Sequence, residues 1–236
     1  MAEMNKSKKE EPRSIAQRLS YALFRIFSRV TSVMWFELHA EGRCNLPESG
    51  GGLILSTHQS TLDPVLVGLL CNRRLNYLAR KTLFKSKIFA AIIRHLDAIE
   101  IDREGGGLGG LKETLQRLRR GELVLMFPEG TRTSNGQVQD VKPGFVAVAR
   151  RSRVPLIPIA ILGAYDVLPK GAKLPRRRTI KIVVGESIQP EDIVDLNDQQ
   201  LMEKLQLTLE LCHQRGEEMR LYHSRKEDRT KKALQA

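Results

Sequence analysis

The chain has 236 residues, 41% hydrophobic and 28% charged, proportions that fit a globular protein and exclude a disordered or collagen-like one. At roughly 150 residues per domain the length reads as one domain, large enough to bury a core without a disulfide or a structural metal. Lys and Arg number 39 against 27 Asp and Glu, a net charge of +12, and such an excess predicts an anionic partner: nucleic acid, an anionic membrane or a phosphorylated substrate.

Residues 1–13 are polar and mixed in charge, unlike a secretory signal, and read as a disordered leader. Residues 14–36 form the longest apolar-rich stretch, interrupted by Arg18, Arg25 and Arg29. At about 100° per residue these arginines fall within about 40° of one another. Ser14 and Ser32 lie near the same stripe, and Ala16, Leu23, Phe27, Val30 and Met34 lie opposite. The pattern predicts an amphipathic helix lying in a membrane interface rather than spanning it; a helix docked on its own core has the same pattern.

Beyond residue 36, short apolar runs bounded by Gly or Pro predict strands at Leu53–Thr57, Leu75–Ala79, Ala98–Ile101, Leu123–Phe127, Leu156–Leu162 and Thr179–Val184. Helix-like stretches lie near 62–70, 82–95, 108–120 and 143–152, the first with Pro64 in its opening turn. Alternation of this kind predicts an α/β fold with a mostly parallel, mixed sheet flanked by helices, over residues 37–196. Residues 197–236 are a C-terminal helical segment, one long polar helix or two shorter ones. The glycine-rich run Gly105–Gly110 opens a helix without a dinucleotide-loop pattern and reads as a hinge. Cys44, Cys71 and Cys212 lack zinc-ligand spacing, which predicts three reduced thiols and no metal site.

Residues 142–181 hold ten basic side chains and one acidic, including the triplet Arg176-Arg177-Arg178. This is either a solvated face or a surface for anionic lipid. Nucleic acid is disfavoured, because aromatic residues are 5% of the chain and are not interleaved with the basic runs.

Three polar clusters follow strand-like runs, where open α/β sheets bind their ligands. In Thr57-His58-Gln59-Ser60-Thr61-Leu62-Asp63-Pro64 a tight turn can bring the Asp63 carboxylate back to the His58 imidazole. It would accept from Nδ1–H and leave Nε2 to take a proton from a hydroxyl. A structural histidine beside a helix-capping aspartate fits the same residues. In Phe127-Pro128-Glu129-Gly130-Thr131-Arg132, Arg132 offers a guanidinium fork for phosphate. Glu129 could accept from Arg132 or from a substrate hydroxyl, and a solvated turn is the plain alternative. Ile99-Glu100-Ile101-Asp102-Arg103 places Arg103 past a third strand. Ser60, beside His58, leaves open a covalent acyl-enzyme, the chemistry of a thioesterase or lipase.

These stretches, with Val154-Pro155-Leu156-Ile157-Pro158-Ile159, resemble in order and spacing the four motif blocks of the glycerolipid acyltransferases, most closely the lysophosphatidic acid acyltransferase branch. The likeness covers about residues 35–190. It implies acyl transfer from acyl-CoA or acyl-carrier protein, as co-substrate and with no cofactor, to the 2-hydroxyl of lysophosphatidate. Another acceptor, such as glycerol 3-phosphate, is the alternative. It implies His58 as base, Asp63 as its partner, and Arg103, Glu129, Gly130, Thr131 and Arg132 around the glycerol phosphate. Arg80 or Lys81 would supply a further basic group. The family's second block usually carries Gly and an apolar residue where Ala98 and Glu100 stand here. The implied location is the cytoplasmic face of a membrane, peripheral or monotopic, against an anionic surface.

Overall fold

A computed structural model describes residues 35–85, 97–101, 108–172 and 174–235, with the isolated positions 23, 90 and 93. The expected leader 1–13, nearly all of the expected interface helix 14–36, most of the expected helix 82–95, Gly105–Gly107 and Arg103 lie outside these residues.

Seven strands form one sheet: β1 (His39–Glu41), β2 (Gly52–Ser56), β3 (Leu75–Arg80), β4 (Ala98–Ile101), β5 (Leu123–Met126), β6 (Leu156–Leu162) and β7 (Lys181–Val184), in the order β1-β7-β6-β2-β5-β3-β4. Neighbours are parallel except β6 and β7, which are antiparallel. The central strands β2 and β6 are buried along their whole length, and their sequences are correspondingly continuous apolar runs, because both faces are covered.

One face of the sheet presents Ile54, Tyr77, Leu125, Ile157 and Ile159 to Leu66, Val67 and Leu70 of helix α1 (Asp63–Leu70). The other presents Leu53, Leu55, Val124 and Leu156 to helices α2 (Leu108–Arg119) and α3 (Val146–Ser152). It also packs on the long helix α5 (Asp198–Gln235), a single helix whose Leu201, Leu205 and Leu209 are fully buried. Each such leucine contributes roughly 1.5–3 kcal/mol, so α5 is part of the folded unit. No disulfide joins Cys44, Cys71 or Cys212.

The sequence reading missed β1 and the short helix α4 (Ala164–Val167). Strand β1 is three half-buried residues and gains its identity only by pairing with β7.

The strand directions set the position of the site. The carboxyl ends of β6, β2, β5, β3 and β4 share one edge of the sheet, and the starts of β7 and β1 join them there. Gly163 turns the chain from β6 into α4 at this edge with φ 82°, and a Cβ there would collide with the Thr179 carbonyl. Left-handed backbone alone costs a side-chain-bearing residue about 1–2 kcal/mol. Gly163→Ala is therefore expected to lower stability by more than about 2 kcal/mol, measured as the shift in a urea unfolding curve; an unchanged midpoint would contradict this geometry.

Candidate active site

Two residues beyond β2, the chain turns at His58 and enters α1 at Asp63. One carboxylate oxygen closes that turn. Asp63 Oδ2 accepts the backbone N–H of Gln59 at 2.6 Å and of Ser60 at 2.7 Å, and lies 2.8 Å from His58 Nδ1. With Nδ1 donating to a carboxylate, the imidazole tautomer is assigned with its free lone pair on Nε2. The Asp63 side chain is 0% exposed, and that of His58 is 19% exposed. Burial pushes the Asp63 carboxyl up from its ordinary value, opposed by the bonds from His58, Ser60 and Gln59. The other oxygen, Oδ1, is buried without a hydrogen-bond partner among the described residues. The Phe127 ring stacks on the imidazole at 3.8 Å and 14°, fixing the plane of the ring from the neighbouring strand end.

A second carboxylate ties the two strand ends together. Glu129 follows β5 and is 1% exposed. Its Oε2 accepts the backbone N–H of His58 at 3.3 Å and the Gln139 side-chain amide at 3.1 Å, and its Oε1 accepts the Gln139 backbone N–H at 3.4 Å. The same Gln139 amide donates to the Thr131 carbonyl at 3.2 Å. Glu129 thus faces inward to the His58 backbone, not to Arg132. Burial pushes its carboxyl up to about 7, against the lowering bonds from Gln139 and the His58 backbone.

Further bonds fix the surroundings. The His58 carbonyl accepts from Thr133 N–H at 2.8 Å. The Gln59 amide donates to the Gly136 carbonyl at 2.6 Å and accepts from Tyr165 N–H at 3.2 Å. Ser60 Oγ is buried and donates to the Leu168 carbonyl at 2.9 Å. That bond directs the serine hydroxyl to α4's end of the site and away from the role of nucleophile that the sequence left open.

The remaining expected residues follow the same edge. Gly130 turns with φ 72°, which allows the tight bend from Glu129 to Thr131. Thr131 is exposed, and Arg132 is half-buried with no ion pair or hydrogen bond to another described residue. Arg80 ends β3 and exposed Lys81 follows it, two strands across from β2. Glu100 is exposed on the edge strand β4. The described residues contain no cluster of three His, Cys, Asp or Glu suited to a metal.

Phe127 and Gln139 escaped the sequence reading. Phe127 could have been found from its place at the end of β5, had β5 been known to pair with β2. Gln139 carries no sequence signal, standing ten residues past Glu129 in a polar segment.

Because the folded-state pKa of Glu129 is raised, the native protein binds more protons than the unfolded chain between pH 4.5 and about 7. Stability contributed by this group therefore falls as pH rises through that window and is level above it. Across the window the wild type is expected to lose on the order of 3 kcal/mol relative to Glu129→Gln, read from paired urea titrations; parallel pH profiles would contradict the assignment. Gln139→Leu removes the side-chain bonds to Glu129 and Thr131 and is expected to cost about 1–3 kcal/mol. It should also push the Glu129 carboxyl above its wild-type value, followed by NMR titration of that carbon.

A family model described as "Acyltransferase" matches residues 37–162, the span that contains both turns. The 1-acyl-sn-glycerol-3-phosphate acyltransferase of Bacillus subtilis is 32% identical over 178 residues, covering 74% of this chain and 84% of its own. The enzyme of the same name from Pseudomonas aeruginosa is 31% identical over 72% of this chain and 67% of its own. In fold, the crystal structure of the 1-acyl-sn-glycerophosphate acyltransferase of Thermotoga maritima matches with a TM-score of 0.73 at 22% identity, over 87% of this chain and 81% of that one. On the strength of the matched domain and these relatives, the chain belongs to the acyltransferase family.

Proposed function

We propose that the protein transfers an acyl group from acyl-CoA or acyl-carrier protein to the 2-hydroxyl of 1-acylglycerol 3-phosphate, forming phosphatidate, at the cytoplasmic face of a membrane. The observation that carries the reading is the 2.8 Å contact between His58 Nδ1 and the fully buried Asp63. It orients an imidazole whose Nε2 makes no hydrogen bond of its own among the described residues. The names of the similar enzymes supply the acceptor.

The residues account for the chemistry in two steps. Nε2 removes the proton of the acceptor hydroxyl as its oxygen bonds to the thioester carbonyl carbon. The tetrahedral intermediate collapses with cleavage of the C–S bond, and the imidazolium returns its proton to the departing thiolate sulfur. Asp63 holds the ring orientation throughout and stabilises the transient imidazolium. Ser60 takes no part, because its hydroxyl is bonded to Leu168. Arg132, held on the turn that Glu129 and Gln139 brace, supplies a cation for the acceptor phosphate. Arg80 and Lys81, at the end of β3, extend the basic character of the same edge, and Arg103, outside the described residues, is proposed as a further cation for the acceptor. No described helix is long and apolar enough to cross a membrane.

Lysophosphatidate and glycerol 3-phosphate, offered side by side with one acyl-CoA, decide the acceptor by mass spectrometry of the lipid formed. Absence of phosphatidate with the first would reject the acceptor proposed. His58→Ala is expected to lower turnover about 10²–10⁴-fold with an unchanged circular dichroism spectrum, and a near-normal rate would reject His58 as the base.

A further inference from the structure

The segment from Pro169 to Thr179 carries Lys170, Lys173, Arg176, Arg177 and Arg178 and no acidic residue. Lys170 and Arg176–Arg178 are exposed, and among them Leu174 is 79% exposed. The segment leaves α4 and leads into β7, so the reversal of direction between β6 and β7 sets it at the edge that holds the site. Its root touches the catalytic turn directly: Leu168 accepts from Ser60, and Tyr165 donates to Gln59. Its other end adjoins the residues preceding β1. Ile180 N–H donates to the Phe36 carbonyl at 3.0 Å, and Thr179 Oγ1 lies 3.1 Å from Glu37 Oε2. Beside Phe36, Trp35 is 53% exposed.

Among the described residues the charges have few partners; Arg178 donates to the Arg177 carbonyl at 3.2 Å. Arg177 meets Glu37 at 3.9 Å with both side chains largely exposed, a pair of the kind that contributes little. Asp166, the acidic residue nearest in sequence, is engaged by Arg220.

We propose that Lys170, Leu174 and Arg176–Arg178, together with Trp35, form a docking surface for an anionic lipid bilayer, seating the site against the membrane. A leucine at the tip of a cationic run and a tryptophan at its margin match the layered chemistry of a bilayer, with phosphates outside and acyl chains beneath. An acidic carrier protein would meet the arginines but would give exposed Leu174 no depth to enter. The inference rests on the acyltransferase reading only for its purpose, which is delivery of a membrane-resident acceptor.

The test uses the full chain with Arg176→Gln, Arg177→Gln and Arg178→Gln combined, and separately Leu174→Ser. Co-sedimentation is measured with phosphatidylcholine vesicles containing or lacking phosphatidylglycerol. At about 5-fold per basic residue, the triple variant is expected to bind the anionic vesicles roughly 100-fold less tightly, with little change on neutral ones. Leu174→Ser should weaken binding to both. Turnover of vesicle-borne lysophosphatidate should fall in step, while that of a short-chain, freely soluble lysophosphatidate should hold.

Parental binding to anionic vesicles by the triple variant would overturn the proposal. A fall in turnover with the soluble acceptor would overturn it too, since the arginines would then serve the substrate itself. So would a loss confined to the carrier-protein donor with vesicle binding intact. If the parent makes no product from any acceptor, the proposed reaction fails, yet the vesicle measurement still decides the surface.

Discussion

The site depends on one buried oxygen. Asp63 Oδ2 accepts two backbone N–H groups and faces the His58 imidazole at the same time. A carboxylate fully removed from water is costly, and this one is offset only by the bonds it receives. The bonds to Gln59 and Ser60 shape the turn, and the contact to Nδ1 orients the imidazole. Shape and chemistry are therefore not separable at this position: a turn that loosened would release the ring, and a ring that swung away would leave the carboxylate short of a partner. Pro64 contributes by favouring a helix start at this point, with Asp63 in the first turn.

Glu129 performs the corresponding task between strands. Strands β2 and β5 are parallel neighbours, joined at their carboxyl ends by the sheet ladder and by the stacking of Phe127 on His58. The Glu129 bond to His58 N–H and the Thr133 bond to the His58 carbonyl lock the two turns in register. Gln139 then closes the β5 turn from outside, touching both Glu129 and the Thr131 carbonyl. Its segment is fastened beyond that by Lys142 N–H to the Pro128 carbonyl and by Val141 N–H to Gln206 on α5. The C-terminal helix thus reaches the site through two links of hydrogen bonding. The protonation of Glu129 bears on the same assembly, since burial, with a smaller contribution from nearby Asp63, favours its neutral form.

What could be read from the sequence follows from how locally each feature is determined. The central strands were legible because burial on both faces leaves an unbroken apolar run, as in Leu53–Leu55 and Leu156–Leu162. His58 and Asp63 were legible because five positions and a proline decide their meeting. Strand β1 was not, because His39–Glu41 is a strand only through β7, some 140 positions away. Nor was the direction of β7, since an apolar run reads alike in both senses. Ser60 was ambiguous for the same reason: the partner that turns its hydroxyl is Leu168, 108 positions later. Gln137 and Gln139 are equivalent in the sequence, and only the closure of the turn over Glu129 selects the second.

The one antiparallel pairing in the sheet has a consequence for the whole molecule. Had β7 run parallel to β6, the connection between them would have crossed to the opposite edge, taking the basic segment away from His58. Reversal keeps residues 163–172 and 174–180 at the edge that holds His58. Because β1 runs with β7, it brings the chain entering from Trp35 and Phe36 there as well. One edge of the sheet then gathers the His58 imidazole, Arg132, the exposed cations and an exposed tryptophan, and the opposite edge is one of turns. On that opposite edge Arg73 donates to backbone carbonyls at Pro47, Gly50 and Gly121, and Arg43 to that of Leu70. The two sets of arginines differ in what they are offered: on the far edge loop carbonyls consume them, while on the near edge the chain leaves them facing outward. A net charge of +12 is thus less informative than its division, and the proposal of an anionic, membrane-borne substrate rests on the outward-facing share beside the His58 imidazole.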